Sequence, residues 1–344
     1  MTDHLPPVQP PVSLPPNDTV PAKPCAGAGL STRRAWLGGL SAASGLALTG
    51  CATPAPAPET APLLKSTLPA PAAVVLPEAQ RFALRSRLGL DYQIFVAVPG
   101  GTPPPGGFPV LYLLDGNACF AAASDMLRMQ LIYPPSSGVH PLLIVGVGYP
   151  GDKPLDNPRR AVDFVPVAPG QGSPEWVRYQ APSGGADAFL DFLVDELRPV
   201  LAAKFPLNLS RQSLAGHSLG GLFTLHALIR RPGAFRSYAP ISPSIWVDPD
   251  GLAAGVDSLA SRLSIDKPVS VLQMVAGDEV PGRPERSAMM LSTARAIDQR
   301  LQSLAARGLS ARMVELPGEN HMSSFFCALP SILRQAGAAS VDQF

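Results

Sequence analysis

The sequence predicts an α/β fold whose central sheet is mainly parallel and covered by helices on both faces. Three observations carry that prediction: continuous apolar runs of strand length, helical periodicity in the segments between them, and a GHSLG turn at the junction of one such run with a helix. Apolar residues make up 46% of the 344, enough for one sizeable core, and neither a repeat nor a second composition regime divides the chain after residue 78. One domain, residues 78–344, is therefore expected.

Before it lie two segments of a different kind. Residues 1–51 form a Pro-rich leader followed by STRRAWLGGLSAASGLALTGC, in which Arg33 and Arg34 precede an apolar run from Trp36 to Leu48. The run is too short to cross about 30 Å of hydrocarbon, so it reads as the apolar core of a signal peptide. The arginine pair resembles a twin-arginine export signal, and LTGC resembles the lipobox of bacterial lipoproteins, with Cys51 the residue that is acylated. Ala52 after the cysteine fits outer-membrane sorting. Residues 52–77, rich in Pro and Ala, read as a semi-rigid spacer between a lipid anchor and the domain. The expected location is the cell envelope, as a periplasmic lipoprotein attached to the membrane only through that anchor. Cleavage would remove Cys25 and leave Cys119 and Cys327 as buried thiols rather than a disulfide framework.

Within the domain the elements follow in order. RFALRS and LDYQIFVAVP are rich in β-branched and aromatic residues and predict an edge hairpin. FPVLYLLDG and PLLIVGVGYP are the continuous apolar runs of strands buried on both faces. GADAFLDFLVDELRPVLAAKF places Phe189, Phe192, Leu193, Leu197, Val200 and Leu201 on one helical face, with a kink or break near Pro199. Four more strands are expected in SLAGHS, SYAPISPS, VSVLQMVAGDE and ARMVELPG, separated by helices over 219–231, 284–308 and 324–336.

GHSLG fits G-x-S-x-G in the strand-to-helix context that this pattern requires. Gly216 and Gly220 would leave room for a sharp turn, Ser218 would present its hydroxyl from strained backbone, and the Leu219 N–H would face a developing oxyanion. A serine nucleophile needs a base. Of the five histidines, His4 lies in the leader, His140 opens a strand, His217 is the variable residue of the turn and His226 lies inside the following helix; His321, in the loop PGENHMSS, remains. The acid should fall between serine and histidine in chain order. Asp278 in MVAGDEV is the first candidate, with Glu279 and Glu285 as alternatives and a Ser–His pair without a close acid as a further one. The second oxyanion donor is expected from the amides of Gly116 or Asn117 in YLLDGNACF, with Asp115 forming the turn.

Other chemistries find little footing. A net charge of +1 with no Lys/Arg cluster argues against nucleic acid as a partner. No His, Cys or Asp cluster has metal-ligand spacing, and the proposed chemistry requires neither metal nor organic cofactor.

The blocks VLYLLDGNACF, RAVDFVP, GGADAFLDFLVDELRPVL, AGHSLGGLFTLHAL, ISPSIWV and ENHMSS, in order over residues 80–340, resemble the esterase branch of the α/β-hydrolases that contains the trilactone siderophore esterases, and are similar to hydrolases related to esterase D. The resemblance implies an α/β-hydrolase fold and a serine esterase with Ser218, His321 and an oxyanion hole from Leu219 and Gly116 or Asn117. It further implies that Arg160 and Trp246 face the substrate, the guanidinium holding anionic groups. The expected activity is hydrolysis of a small-molecule carboxylic ester through an acyl-enzyme, with a siderophore trilactone as one substrate. The alternatives are a general carboxylesterase, an acyltransferase of the same fold, and a non-catalytic ligand-binding lipoprotein.

Overall fold

A computed structural model describes residues 70–339. The signal segment, Cys51 and most of the spacer lie outside the described residues. Eight strands form one sheet: β1 (Ala79–Arg85), β2 (Asp91–Ala97), β3 (Phe108–Leu114), β4 (Leu143–Gly148), β5 (Leu207–His217), β6 (Ser237–Ile241), β7 (Val269–Asp278) and β8 (Leu309–Asn320). The helices between and after them are α1 (Gly116–Gln130), α2 (Pro134–Ser137), α3 (Asn157–Phe164), α4 (Pro174–Arg178), α5 (Ala186–Asp191), α6 (Arg198–Lys204), α7 (Leu219–Arg230), α8 (Pro249–Asp257), α9 (Pro284–Gln302) and α10 (Ser324–Gly337).

The strand order is β1-β2-β4-β3-β5-β6-β7-β8, with β1 antiparallel to β2, β2 antiparallel to β4 and every later pair parallel. The predicted edge hairpin is β1–β2. Every residue of β3 and β4 is buried, because helices cover both faces. Residues of α1 and α10, such as Phe120, Leu127, Phe325 and Leu333, build the core on one face. On the other, α3, α5, α7, α8 and α9 pack around Tyr92, Phe164, Phe189, Phe192 and Phe223, where Tyr92 and Phe192 stack with centroids 4.2 Å apart. The catalytic edge of such a sheet is its C-terminal edge, where β3, β5, β7 and β8 all end.

Two expectations needed correction. The helix around Pro199 is neither simply kinked nor broken: a π turn over Phe192–Leu197 joins α5 to α6, and Pro199 sits in the first turn of α6, where its missing N–H costs little. The residue gained by the π turn rotates the face by about 100°. Val200 consequently lies 52% exposed, whereas Leu201 is buried at 4%. Cys119 is buried as expected, but Cys327 is exposed, and both are free thiols. The DGN turn leads directly into a helix. It opens α1, whose first residue, Gly116, packs so tightly on β4 that a Cβ would stand 2.7 Å from the Gly146 carbonyl carbon.

Candidate active site

Ser218 joins β5 to α7 at φ 62°, ψ −118°, a conformation that side chains rarely adopt and that tertiary bonds hold in place. Its N–H donates to Ile241 at 3.0 Å, and its carbonyl accepts from Leu222 and Ser244, each at 3.0 Å. At Gly216 a side chain would collide with the Gly220 carbonyl across the turn. Gly220 itself is less constrained than expected, its nearest neighbours standing 3.4 Å from a hypothetical Cβ. The second close approach falls at Gly221, 2.9 Å from the Ile241 carbonyl.

The structure brings Ser218 and His321 together. His321 Nε2 lies 2.9 Å from Ser218 Oγ, and Nδ1 lies 2.6 Å from Glu279 Oε2. A carboxylate only accepts, so Nδ1 carries the proton toward Glu279 and Nε2 is left to accept from the serine hydroxyl. The imidazole is 25% exposed and the Glu279 side chain fully buried. The His321 N–H donates to the Glu279 carbonyl at 3.2 Å, so one residue holds both the ring and the main chain of the histidine.

Asp278 does not reach His321, which corrects its assignment as first candidate. At the end of β7 Asp278 is exposed and Glu279 is buried; the β7–β8 register is irregular here because β8 runs from Leu316 to Asn320 over the span that β7 covers from Ala276 to Asp278. Asp278 accepts from Ser287 Oγ at 3.1 Å, and Ser287 Oγ accepts from the Val280 N–H at 2.9 Å; the pair shapes the turn into α9. Glu285 lies in the first turn of α9.

The N–H groups of Leu219 at the start of α7, and of Gly116 and Asn117 at the start of α1, precede the first i→i−4 bonds of their helices, which leaves them without an intrahelical partner. Asp115 makes the turn in left-handed backbone, φ 56°, and its carbonyl accepts from Ala118 and Cys119. The Asn117 side chain clasps the loop after β4: Nδ2 donates to Tyr149 and Gly151 carbonyls at 3.0 Å each, and Oδ1 accepts from the Tyr149 N–H at 2.9 Å.

Arg160 does not face the substrate pocket, contrary to the role that the resemblance implied. Its Nε and Nη2 bind Asp115 Oδ1 and Oδ2 at 2.7 and 3.1 Å, and Nη1 donates to Asn157. Both partners are buried, the side chains 6% and 3% exposed. Burial raises the Asp115 pKa, and the guanidinium opposes that shift. Arg160 thus supports the Asp115 turn from beneath.

Trp246 does line the pocket, an open cleft of about 350 Å³ shared with Ser218, Ser244, Arg286, Met290 and His321. Arg286 lies over the Trp246 ring at 5.3 Å and forms a two-pronged pair with Glu175 at 2.6 and 2.8 Å. Trp176 and Tyr179 extend this wall, 6.1 and 5.9 Å from Trp246 between ring centroids. Sequence reasoning missed Arg286, Glu175, Trp176 and Tyr179, since nothing local in PEWVRY or RPERS tells which way these side chains turn. Ser244, 3.3 Å from Ser218 Oγ, was missed for the same reason.

A strained serine at a strand-to-helix turn, a histidine and a buried carboxylate on an eight-stranded sheet of this order define an α/β-hydrolase with a nucleophile elbow. The chain belongs to the esterase family described as "Putative esterase", whose profile matches residues 86–336. It is 34% identical over 251 residues to the ferri-bacillibactin esterase BesA of Bacillus subtilis, covering 71% of this chain and 83% of that one. Among solved structures it is similar to the BES protein from Bacillus cereus (30% identity, TM-score 0.71, 80% of this chain and 100% of that one). It is also similar to the siderophore hydrolase EstB from Aspergillus nidulans (26% identity, TM-score 0.65, 77% and 96%). The protein is accordingly a serine esterase.

Proposed function

We propose that this esterase opens the ester bonds of a siderophore trilactone, with Ser218 as nucleophile, His321 as base and Glu279 as the orienting acid. The observation that carries the residue roles is the unbroken chain from Ser218 Oγ through His321 to Glu279, at 2.9 and 2.6 Å. The substrate class rests on the relatives named as siderophore esterases and hydrolases.

Ser218 Oγ attacks the ester carbonyl as its proton passes to His321 Nε2, and Glu279 stabilises the imidazolium that results. The oxyanion meets the N–H of Leu219 and that of Gly116 or Asn117. His321 then gives its proton to the departing alcohol, leaving the acyl group on Ser218. Water, activated by the same base, releases the acid. The cleft is open, so water reaches the acyl-enzyme freely, which favours hydrolysis over transfer to another alcohol.

The test incubates the protein and its Ser218→Ala variant with a catecholate trilactone, its ferric complex and a nitrophenyl ester, with mass spectrometry of the products. Linear trimer, dimer or monomer should form with the parent protein, and the variant should lose at least about 10³-fold in rate. Turnover by the variant would remove Ser218 from its role; an intact trilactone beside a cleaved nitrophenyl ester would remove the siderophore and leave the esterase.

For its location, we infer export to the cell envelope and acylation at Cys51. The arginine pair, short apolar run and LTGC sequence support this reading. Radiolabelled palmitate should enter the full chain and not Cys51→Ala; equal labelling would refute the lipid anchor.

A further inference from the structure

The variable residue of the GHSLG turn has a place in the active site that the pattern does not assign. His217 Nε2 lies 2.6 Å from the main-chain carbonyl oxygen of His321. A carbonyl can only accept, so His217 carries its proton on Nε2 and donates it there. We propose that His217 is a positioning residue for the general base, holding the backbone of His321 and thereby fixing the distance from the imidazole to Ser218. The proposal rests on the assignment of Ser218 and His321 given above.

Four features support it. His217 is covalently joined to Ser218, so the nucleophile and the backbone of the base, 103 residues apart in the chain, are linked through one peptide unit and one hydrogen bond. The same carbonyl accepts from Ser324 Oγ at 2.9 Å; Ser324 Oγ accepts from Ser242 Oγ at 3.0 Å, and Ser242 Oγ accepts from the Ala276 N–H at 3.1 Å. This relay runs back to the end of β7 and leaves the carbonyl no freedom to turn. The His217 ring packs against the His321 ring, with centroids 4.6 Å apart, and against Phe325 at 6.4 Å, so the base cannot tilt toward the core. Burial, reinforced by the neighbouring His321, depresses the His217 pKa to about 3, so the ring stays neutral and keeps its single proton on Nε2 while His321 cycles through its charged form.

Held in this way, His321 is fixed from both sides: Glu279 takes its N–H and Nδ1, while His217 and Ser324 take its carbonyl. Releasing one side should let the imidazole shift by up to about 1 Å, and a misplacement of that size can cost about 10²-fold in rate.

The experiment compares His217→Leu, His217→Gln and Ser218→Ala in the full chain, measuring kcat and KM on a nitrophenyl ester. Leu should lower kcat about 10²-fold with KM within about 2-fold. Gln, which carries an N–H at similar reach, should recover kcat to within about 5-fold of the parent. A Leu variant with parental kcat overturns the proposal, and so does a folded Gln variant as slow as Leu, since packing of the ring would then be what matters. If Leu fails to fold by circular dichroism, Gln and Ser324→Ala decide the matter. An active Gln variant together with a lowered kcat in Ser324→Ala supports the proposal; a folded but inactive Gln variant, or a Ser324→Ala variant with parental kcat, overturns it. Turnover by Ser218→Ala would instead strike at the site assignment itself, so the two failures are told apart.

Discussion

Two walls meet at Ser218, and they are built differently. The turn after β3, which offers the Gly116 and Asn117 amides, rests on a buried ion pair and on a side-chain amide that makes three bonds. The wall formed by the ends of β7 and β8 keeps its carboxylate buried but leaves the imidazole 25% exposed. Groups that only stabilise charge gain from a rigid, dry scaffold in which no reorganisation is needed as the reaction proceeds. A base that accepts a proton, returns it and then activates water has to keep an open side, and here the backbone and Nδ1 are tied down while a quarter of the imidazole stays exposed.

Substitutions on the two walls should therefore fail in different ways. The largest effect is expected at Glu279. Glu279→Gln keeps the shape but loses the charge that orients Nδ1–H and stabilises the imidazolium, so kcat should fall by about 10²–10⁴-fold with little change in melting temperature. A variant within about 3-fold of the parent would mean that the Ser218–His321 pair works without its acid. On the opposite wall, Arg160→Met leaves the Asp115 carboxylate buried and unpaired. The loss should appear first as stability, about 3–5 kcal/mol in denaturant unfolding. If Arg160→Met instead keeps its stability and loses only affinity for an anionic substrate, the guanidinium contacts ligand after all. The smallest effect belongs to Asp278→Asn. The side chain is exposed and serves the turn into α9, so kinetics within about 2-fold of the parent are expected. A loss comparable to that of Glu279→Gln would erase the distinction between the two neighbours.

The features that were legible in the sequence are those set by a local rule. Continuous apolar runs marked β3 and β4, and GHSLG marked the elbow because a strained serine between a strand and a helix needs small neighbours. His321 followed from the shortage of other histidines. What stayed hidden depends on phase or on tertiary direction. The helix α1 begins in a turn sequence and runs through small residues, so its periodicity is weak. Helix α3 did carry a usable signal: Asp156 caps it, accepting from the Arg159 N–H at 3.2 Å, and Pro158 lies in its first turn. Even so, the direction of Arg160 follows from how α3 packs near Asp115, which no local pattern contains. Val200 was misplaced because one π turn shifts every residue after it. The acid was misjudged because two carboxylates stand side by side at the end of β7, with Asp278 exposed and Glu279 buried.

That opposite placement of two neighbours has a consequence for how this edge of the enzyme can change over evolutionary time. Only Glu279 of the two adjacent acids faces the imidazole, so the supply of a carboxylate is acutely sensitive to chain length. Removing a single residue between Ala276 and Glu279 would advance the chain by one position and carry Val280 to the imidazole in place of the glutamate. Insertions and deletions should therefore be tolerated in the turn beyond Glu279 and excluded just before it, so that the spacing to the strand end, more than the choice between Asp and Glu, is the inherited trait.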